Sequence, residues 1–369
     1  MEEHRDRSSG WKHAKLSGHS NEELVCEMLQ TDKYQQERLL KTLNEQGASI
    51  TRCIYGGLHE KNVPSILGGT TKNKADITVW LNNGKKYGIS IKKSLAGQVF
   101  LVRDTHFIKG FELQYGKIIP ENIKRAISLF WGSASDTISI INSYSNEDNV
   151  KKLELHKCRL SAQTLKRYDQ ALYDELLEWF KDNIYEITDY CFARGQAKNT
   201  DDRATIVWYI NLLGEHDVDE MHHIDSLCEL AEKNKDTIAY GSVNGGTTIQ
   251  LPFGFVQWHQ EQMQFHHKYD TINSFTSVSG AKISHAASSP FRSYQSITPR
   301  PSISMKPESK TMISLKEVSD FLAKNGKSTT EQISERTNRQ ISELKPILEG
   351  GVIGKLFSKN ADGTYELRS

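Results

Sequence analysis

The sequence predicts an α/β (α+β) protein with a central mixed sheet flanked by helices and a small separate domain at its C-terminal end. Three observations predict this class. Short strands alternate with helical segments over the first 140 residues, apolar residues recur at three- and four-residue intervals over 161–235, and a Ser-rich stretch interrupts the chain at 274–311. A chain of 369 residues also exceeds a usual single domain.

The first domain is predicted to cover residues 1–273. Its patterns predict a helix over roughly 20–45, strands near 51–55, 76–82, 86–93 and 98–103, a helix from Pro120 to about Trp131, a helical region over about 145–235 and further strands after Gly246.

Residues 274–311 are predicted to form a linker. A Ser- and Pro-rich stretch with few aliphatic residues cannot bury enough apolar surface to offset the entropy lost on ordering. The alternative is a long loop draped over the first domain.

The unit at 312–369 shows the pattern of three short helices followed by a hairpin. A third helix after Asn338 precedes two strands around an Asp-Gly turn, although Pro346 interrupts that helix. This order resembles a winged helix. The first two helices are predicted to begin with capping boxes, Ser314 with Glu317 and Thr329 with Gln332.

The charge balance excludes one class of nucleic-acid-binding protein. Lys and Arg total 47 against 46 Asp and Glu, which gives a formal net charge of +1. The chain is therefore not a polybasic coat, and any contact with DNA must come from local patches.

The cysteines and the hydropathy pattern predict the compartment. The five cysteines are scattered and contain no CxxC pair, which favours buried free thiols over disulfides or a zinc site. The first residues lack a signal-peptide core, and no apolar run reaches membrane-spanning length. We therefore expect a soluble, cytoplasmic protein without membrane association.

The segment "KADITVWLNNGKKYGISIKKS" predicts a hairpin that places charged groups at neighbouring strand ends. Asp76 opens the first strand. On the second strand, alternation puts Ser90 and Lys92 on the polar face, while Lys93 points away.

A carboxylate, a second oxygen ligand and a lysine at a strand end suit metal-assisted hydrolysis of a phosphodiester. Mg²⁺ takes hard oxygen ligands, polarises a phosphate oxygen and acidifies its bound water. The lysine then stabilises developing charge or orients the attacking water. A solvated hairpin without function is the alternative for this motif alone.

These residues resemble the PD-(D/E)xK nuclease superfamily, and restriction endonucleases in particular. Asp76 matches the first acid of the family pattern and Lys92 its lysine, whereas Ser90 stands where the family usually has Asp or Glu. The resemblance implies a restriction-endonuclease-like core that binds Mg²⁺, with Mn²⁺ as a substitute. It implies that Asp76, the carbonyl of Ile91 and a carboxylate from elsewhere hold the metal.

Two further segments resemble restriction endonucleases. "GHSNEELVCEML" resembles a run in which a helix carries an auxiliary acid, and helical geometry favours Glu22 over Glu23, because Glu23 falls opposite the apolar face. The alternative is an ordinary first-turn acid favoured by the helix dipole. "IKKSLAGQVFLV" contains Gln98, which we predict to position the nucleophilic water or touch the scissile strand, or else to be a polar residue at a turn exit.

A polar strand face near the end of the first domain predicts contact with DNA. In "FGFVQWHQEQMQFHHKYD", alternation places Met263 and Phe265 in the core and leaves amide and imidazole groups outside, which match groove donors and acceptors. A zinc site and a plain surface strand pair are the alternatives. The predicted DNA contacts on this face are Gln257, His259, Gln264 and His266.

The winged helix predicts a second set of DNA contacts. Residues in the first turn of a recognition helix reach base edges, and later residues reach bases or phosphates. Such modules also bind proteins, which is the alternative. The predicted contacts are Arg339, Gln340, Ser342 and Lys345.

The favoured function is therefore a type II restriction endonuclease that cuts double-stranded DNA at a specific sequence. The resemblance implies a homodimer and a cognate DNA methyltransferase that protects the host. The alternatives are a non-catalytic DNA-binding regulator with a degenerate nuclease fold, which Ser90 favours, and a structure-specific DNA repair nuclease.

Overall fold

The structure is a computed structural model that describes residues 7–56, 62–214, 216–278, 322, 328–337, 357–360 and 364–367. The chain divides into two compact units, Met1–Ser289 and Pro290–Ser369. The first unit contains both large sheets and most of the helices described.

Eleven helices are described in the first unit: α1 (Arg7–Thr31), α2 (Lys33–Thr42), α3 (Asp104–Tyr115), α4 (Glu121–Trp131), α5 (Thr137–Tyr144), α6 (Asp148–Lys157), α7 (Ala162–Tyr168), α8 (Gln170–Asp182), α9 (Ile184–Asp189), α10 (Ile224–Lys233) and α11 (Tyr269–Val278). A π-helical turn, Tyr190–Arg194, continues α9, and short 3₁₀ turns lie at Thr200–Asp202, Lys235–Thr237 and Val243–Gly245. None of the helices in these described ranges is both long and apolar enough to cross a bilayer.

The strands of this unit are β1 (Ile50–Tyr55), β2 (Asn62–Pro64), β3 (Thr70–Lys72), β4 (Ile77–Leu81), β5 (Lys86–Lys92), β6 (Ala96–Val102), β7 (Ala204–Ile210), β8 (Asp219–His223), β9 (Ala239–Tyr240), β10 (Thr248–Leu251), β11 (Gly254–His259) and β12 (Gln262–Lys268). β2 and β3 form a small separate hairpin.

The first sheet is mixed and has the order β1-β4-β5-β7-β8. β5 and β7 run parallel, and the other pairs are antiparallel. Val25 and Leu29 of α1 pack on one face of this sheet, while Val207 and Tyr209 belong to the larger helical core on its other face. The predicted mixed sheet flanked by helices is confirmed in the described structure.

The second sheet is antiparallel, with the order β6-β12-β11-β10-β9. One face carries the buried side chains of Val256, Met263 and Phe265, as alternation predicts. The register between β6 and β12 shifts where Phe100 pairs with Phe265 but Gln98 pairs with His266. Val99 is thus an extra residue, a β-bulge.

Two predictions for the first unit are corrected by the structure. Residues 161–235 are mainly helical, as predicted, but they also contain two strands of the first sheet, β7 and β8, which the sequence analysis did not predict. A strand buried on both faces is an uninterrupted apolar run and lacks the alternation that identifies a half-buried strand. The first helix begins at Arg7 rather than near residue 20, since Gly and Ser weaken a helix without ending it.

The cysteine prediction is wrong for one pair. Cys26 of α1 and Cys53 of β1 are joined as a disulfide, with Cα atoms 5.8 Å apart. The other three are free, with Cys191 and Cys228 buried and Cys158 exposed. An odd count with wide spacing carries no information about which cysteines the fold brings together.

The end of the first unit and the second unit are described in part. α11 extends to Val278, so the start of the predicted linker is helical. In the second unit, α12 (Thr330–Thr337) is described together with an antiparallel pair, β13 (Phe357–Lys359) and β14 (Tyr365–Leu367).

The capping box predicted for α12 is confirmed. The N–H of Thr329 donates to Gln332 Oε1 at 2.9 Å, and the N–H of Gln332 donates to Thr329 Oγ1 at 3.3 Å. The winged helix as a whole stays a prediction, because Ser314, Glu317 and the predicted third helix lie outside the described residues.

Candidate active site at the end of the β4–β5 hairpin

The β4–β5 hairpin fixes the register of the site. Ile77 pairs with Ile89 and Trp80 with Lys86, and the turn between the strands uses Gly84 with φ +82°, a conformation that favours glycine. Asp76 directly precedes β4, and its N–H donates to the carbonyl of Ile89 at 2.9 Å. The hairpin therefore brings Asp76 beside the C-terminal end of β5.

Asp76, Ser90 and Lys92 form one hydrogen-bonded chain. Lys92 Nζ donates to Ser90 Oγ at 2.6 Å, and Ser90 Oγ donates to Asp76 Oδ2 at 3.3 Å. The N–H of Ile91 also donates to Asp76 Oδ2, at 2.7 Å. The structure thus brings the predicted acid, serine and lysine together, and the hydroxyl of Ser90 links the other two.

Burial perturbs both charged members of this chain. Desolvation raises the pKa of Asp76 although Lys92 and the bond from Ile91 act in the opposite direction. Desolvation also lowers the pKa of Lys92 although Asp76 and Glu22 oppose the shift. Desolvation therefore favours the neutral form of each group, and the neighbouring charges and hydrogen bonds do not fully offset this effect.

Glu22 is held near Lys92 by the residue before it. Asn21 is fully buried, and its side chain donates to the carbonyl of Ile210 at 3.0 Å and accepts from the N–H of Leu212 at 2.8 Å. These bonds tie α1 to the C-terminal end of β7, where Tyr209 pairs with Lys92.

The choice of Glu22 over Glu23 agrees with the helix orientation. The Glu22 side chain is 15% exposed and contacts His19 Nδ1 at 3.2 Å, whereas Glu23 is exposed and accepts from Tyr55 at 2.8 Å. Glu22 is not a first-turn acid, because α1 begins at Arg7. The helix dipole therefore does not explain its position.

The oxygen donors at this site suit a small hard cation. Asp76 Oδ1 takes no part in the bonds that hold Oδ2. The carbonyl of Ile91 lies on the same strand side as its N–H, towards Asp76, where no β4 residue pairs with it. Mg²⁺ needs only one or two protein carboxylates, because waters and substrate phosphates complete its shell. No cluster of three His, Cys, Asp or Glu groups that could hold a metal forms among the described residues.

Lys74 is a member of this region that the sequence analysis missed. Its Nζ donates to the carbonyl of Val99 at 2.7 Å and lies 4.1 Å from the centroid of the Phe100 ring. Burial, with a smaller contribution from Lys92, lowers the pKa of Lys74 to about 7, although Cys191 and Asp76 oppose the shift. The Val99 bulge supplies the acceptor, so only the tertiary fold reveals this contact. The two-residue spacing from Asp76 was the one signal available.

Among the described residues, Gln98 forms no hydrogen bond with Asp76, Ser90 or Lys92. Its Oε1 accepts from Gln264 Nε2 at 2.8 Å, and Gln264 Oε1 accepts from Gln257 Nε2 at 2.8 Å. Gln257 Nε2 also lies 3.2 Å from His266 Nε2. We call these four residues the amide ladder.

The predicted polar face is continuous in the structure. Gln257 pairs with Gln264, and His259 with Gln262, across β11 and β12. His266 stacks on Phe255 with ring centroids 4.5 Å apart. The fold places all four predicted contacts of this sheet on one face, and their role in DNA binding stays a prediction. Arg339, Gln340, Ser342 and Lys345 lie outside the described residues.

Comparison with known proteins gives little guidance. No protein-family model matches the chain, and no curated protein sequence matches it. Among solved structures, it is similar to a crystal structure of restriction endonuclease MspI in complex with its cognate DNA. That similarity has a TM-score of 0.37 and 13% identity, and it covers 69% of this chain and 87% of that chain. Similarity at this level is too low to support a function, so the geometry above must support it.

Proposed function

We propose that the protein is a type II restriction endonuclease that hydrolyses phosphodiester bonds of double-stranded DNA at a specific sequence with Mg²⁺. One observation carries the proposal. Asp76, Ser90 and Lys92 form a hydrogen-bonded chain at the end of a hairpin, and the charge of Glu22 acts on its lysine. Incompletely compensated charges of both signs at one strand end are typical of an active site.

Asp76 and Lys92 of the hydrogen-bonded chain have different roles: Asp76 would hold the metal ion, and Lys92 would stabilise negative charge or orient water. Asp76 is oriented by the N–H of Ile91, so its free oxygen points to a fixed place. Lys92 donates one N–H to Ser90, which leaves its other N–H groups for a phosphate oxygen or the attacking water. Water adds to phosphorus, the bond to the leaving oxygen breaks, and that oxygen takes up the proton.

Asp76, the carbonyl of Ile91 and Glu22 are the residues that would hold Mg²⁺, with Mn²⁺ as a substitute. When bound, the ion polarises the phosphate and lowers the pKa of a coordinated water. The donor set fits this ion, because all the donors are oxygens and few are charged. The neutral Ser90 avoids a second carboxylate beside Asp76 and connects Asp76 to Lys92 instead.

The DNA would lie across the polar face of the second sheet. β6 follows directly after the end of β5, and Lys74 donates a hydrogen bond to the β6 bulge. The polar face would therefore lie next to the proposed active site. Arg339, Gln340, Ser342 and Lys345 of the winged helix would add contacts. We further propose, from the family resemblance, a cytoplasmic homodimer that acts with a cognate methyltransferase.

Digestion of plasmid DNA by the full chain tests the proposal. We expect discrete fragments in Mg²⁺ and none in EDTA. Asp76→Ala and Lys92→Ala should abolish the fragments while circular dichroism shows a folded protein. Lys86→Ala is the matched control, because Lys86 is exposed at the other end of β5. A protein that binds the plasmid in Mg²⁺ and Mn²⁺ without cutting it would contradict the assignment.

A non-catalytic DNA-binding regulator is the second candidate. Ser90 favours it, because a neutral residue there leaves Asp76 as the sole carboxylate in the hydrogen-bonded chain. The same digestion separates the two candidates, since the regulator binds DNA in every metal ion and yields no fragments.

A further inference from the structure

Donors and acceptors follow a fixed order along the amide ladder, so its two ends expose different hydrogen-bonding groups. Both N–H groups of Gln257 are taken, one by Gln264 Oε1 at 2.8 Å and one by His266 Nε2 at 3.2 Å. Gln257 is left with its carbonyl oxygen alone. At the other end, Gln98 has used its oxygen to accept from Gln264 and keeps both N–H groups.

His266 fixes the direction of the ladder. Burial lowers the pKa of His266, and the nearby His259 and Lys268 lower it further, which favours the neutral ring. In the tautomer with its proton on Nδ1, His266 Nε2 accepts from Gln257 Nε2. The ring is held in place by stacking on Phe255 with an interplanar angle of 6°. An acceptor at this end makes Gln257 donate, Gln264 follow and Gln98 accept.

A glutamine in this state differs chemically from a free glutamine. A free glutamine pairs with adenine through two bonds, since it donates to N7 and accepts from N6. Gln98 cannot do this, because its oxygen belongs to Gln264. Its two N–H groups match the two adjacent acceptors of guanine, O6 and N7.

We propose that the amide ladder selects guanine over adenine in the major groove at Gln98 and an exocyclic amino group, as on cytosine, at Gln257. This inference rests on the proposed function and goes beyond it, because it names the base classes that two side chains distinguish. Gln98 is exposed and lies on β6, the strand that follows Lys92 in the chain.

Gln264→Glu tests the direction of the ladder by a single change. A carboxylate only accepts, so Gln98 must turn over to donate to it. Gln98 then presents its oxygen and one N–H to the DNA, and these are the two groups that pair with adenine. Gln257 already donates to residue 264, so the orientation of its amide group should not change.

The measurement is enrichment from a random duplex library bound in Ca²⁺, followed by sequencing of fragment ends after cutting in Mg²⁺. We expect the guanine-to-adenine ratio at one position to fall about tenfold or more in Gln264→Glu. Gln250→Glu is the matched control for added negative charge, because Gln250 bonds Thr248 and not the ladder. It should lower overall binding but keep the wild-type base preference.

Gln98→Met is a second variant that does not depend on burial of a new charge. Gln98 is exposed, so the fold should tolerate this change, and the guanine preference should be lost. The proposal is overturned if Gln264→Glu and Gln98→Met both keep wild-type preference at every position.

The two proposals fail in different ways. Cutting of the library without any base preference overturns the ladder and leaves phosphodiester hydrolysis intact. Enrichment of a guanine-containing sequence without cutting in Mg²⁺ overturns the nuclease assignment and supports the ladder.

Discussion

At the end of the β4–β5 hairpin, charged side chains crowd into partly buried positions and compensate one another incompletely, whereas on the second sheet neutral side chains satisfy one another. Desolvation shifts the pKa values of Asp76 and Lys92 towards their neutral forms. The amide ladder instead pairs each amide with the next. Under the proposed function, this difference means that the first region would act on a charged substrate, while the second would fix the direction of hydrogen bonds for recognition.

Loss of Lys92 should have the largest effect, and this effect should be on the rate of cleavage rather than on DNA binding. Lys92→Met removes the cation next to Ser90, so single-turnover cleavage should slow by about 10²–10³-fold, as for other preorganised donors to developing charge. Lys86→Met, at the opposite end of the same strand, should cut at the wild-type rate. Equal slowing in both variants would show that strand stability, not the position of the ammonium group, controls cutting.

Glu22 and Glu23 offer a matched pair of adjacent acids on one helix. Glu22→Gln should reduce cleavage by roughly 10–100-fold at limiting Mg²⁺, because the Glu22 charge acts on Lys92 and, in the proposed site, would help to hold the metal. Glu23→Gln removes only an exposed contact to Tyr55 and should leave cleavage unchanged. If the two variants behave alike, α1 has no part in the site.

Ser90→Asp would place a second carboxylate beside Asp76 and increase the difference in charge between the two regions. A second carboxylate beside Asp76 should lower the half-saturating Mg²⁺ concentration by about tenfold, since affinity follows the ligand charge. Ser90 is 1% exposed, so the metal-free protein should also lose stability. Titration of cleavage against Mg²⁺ checks the first expectation, and an unchanged midpoint would place the metal elsewhere.

Asp76→Asn should stabilise the metal-free protein by about 1 kcal/mol near neutral pH. Folding raises the pKa of Asp76 above its ordinary 3.8. The free-energy cost of keeping Asp76 ionised in the folded protein therefore grows as the pH rises through the pKa of the folded state. The gain should vanish at pH 3, where the carboxyl is protonated in both states. Urea unfolding in EDTA at both pH values measures it, and a loss of stability at pH 7 would contradict the account.

The sequence predicted local geometry well and tertiary partners poorly. Alternation along β5 placed Ser90 and Lys92 on one face, and a helical wheel separated Glu22 from Glu23, because both depend on fixed backbone periods. It did not reveal the contact of Lys74 with the Val99 bulge or the bond between Gln98 and Gln264, whose partners are 25 and 166 residues apart. β7 was missed because a strand buried on both faces has no alternation.

Measuring cleavage and binding on the same pre-bound duplex tests the division between the two regions most directly. For Lys92→Met, the account predicts a dissociation constant within about fivefold of wild type, since one cation near a phosphate is lost, together with a cleavage rate at least a hundredfold lower. For Gln98→Met, it predicts a near-normal rate on the saturated duplex and a lost base preference. A Lys92→Met protein that loses binding and cleavage in equal proportion would contradict it.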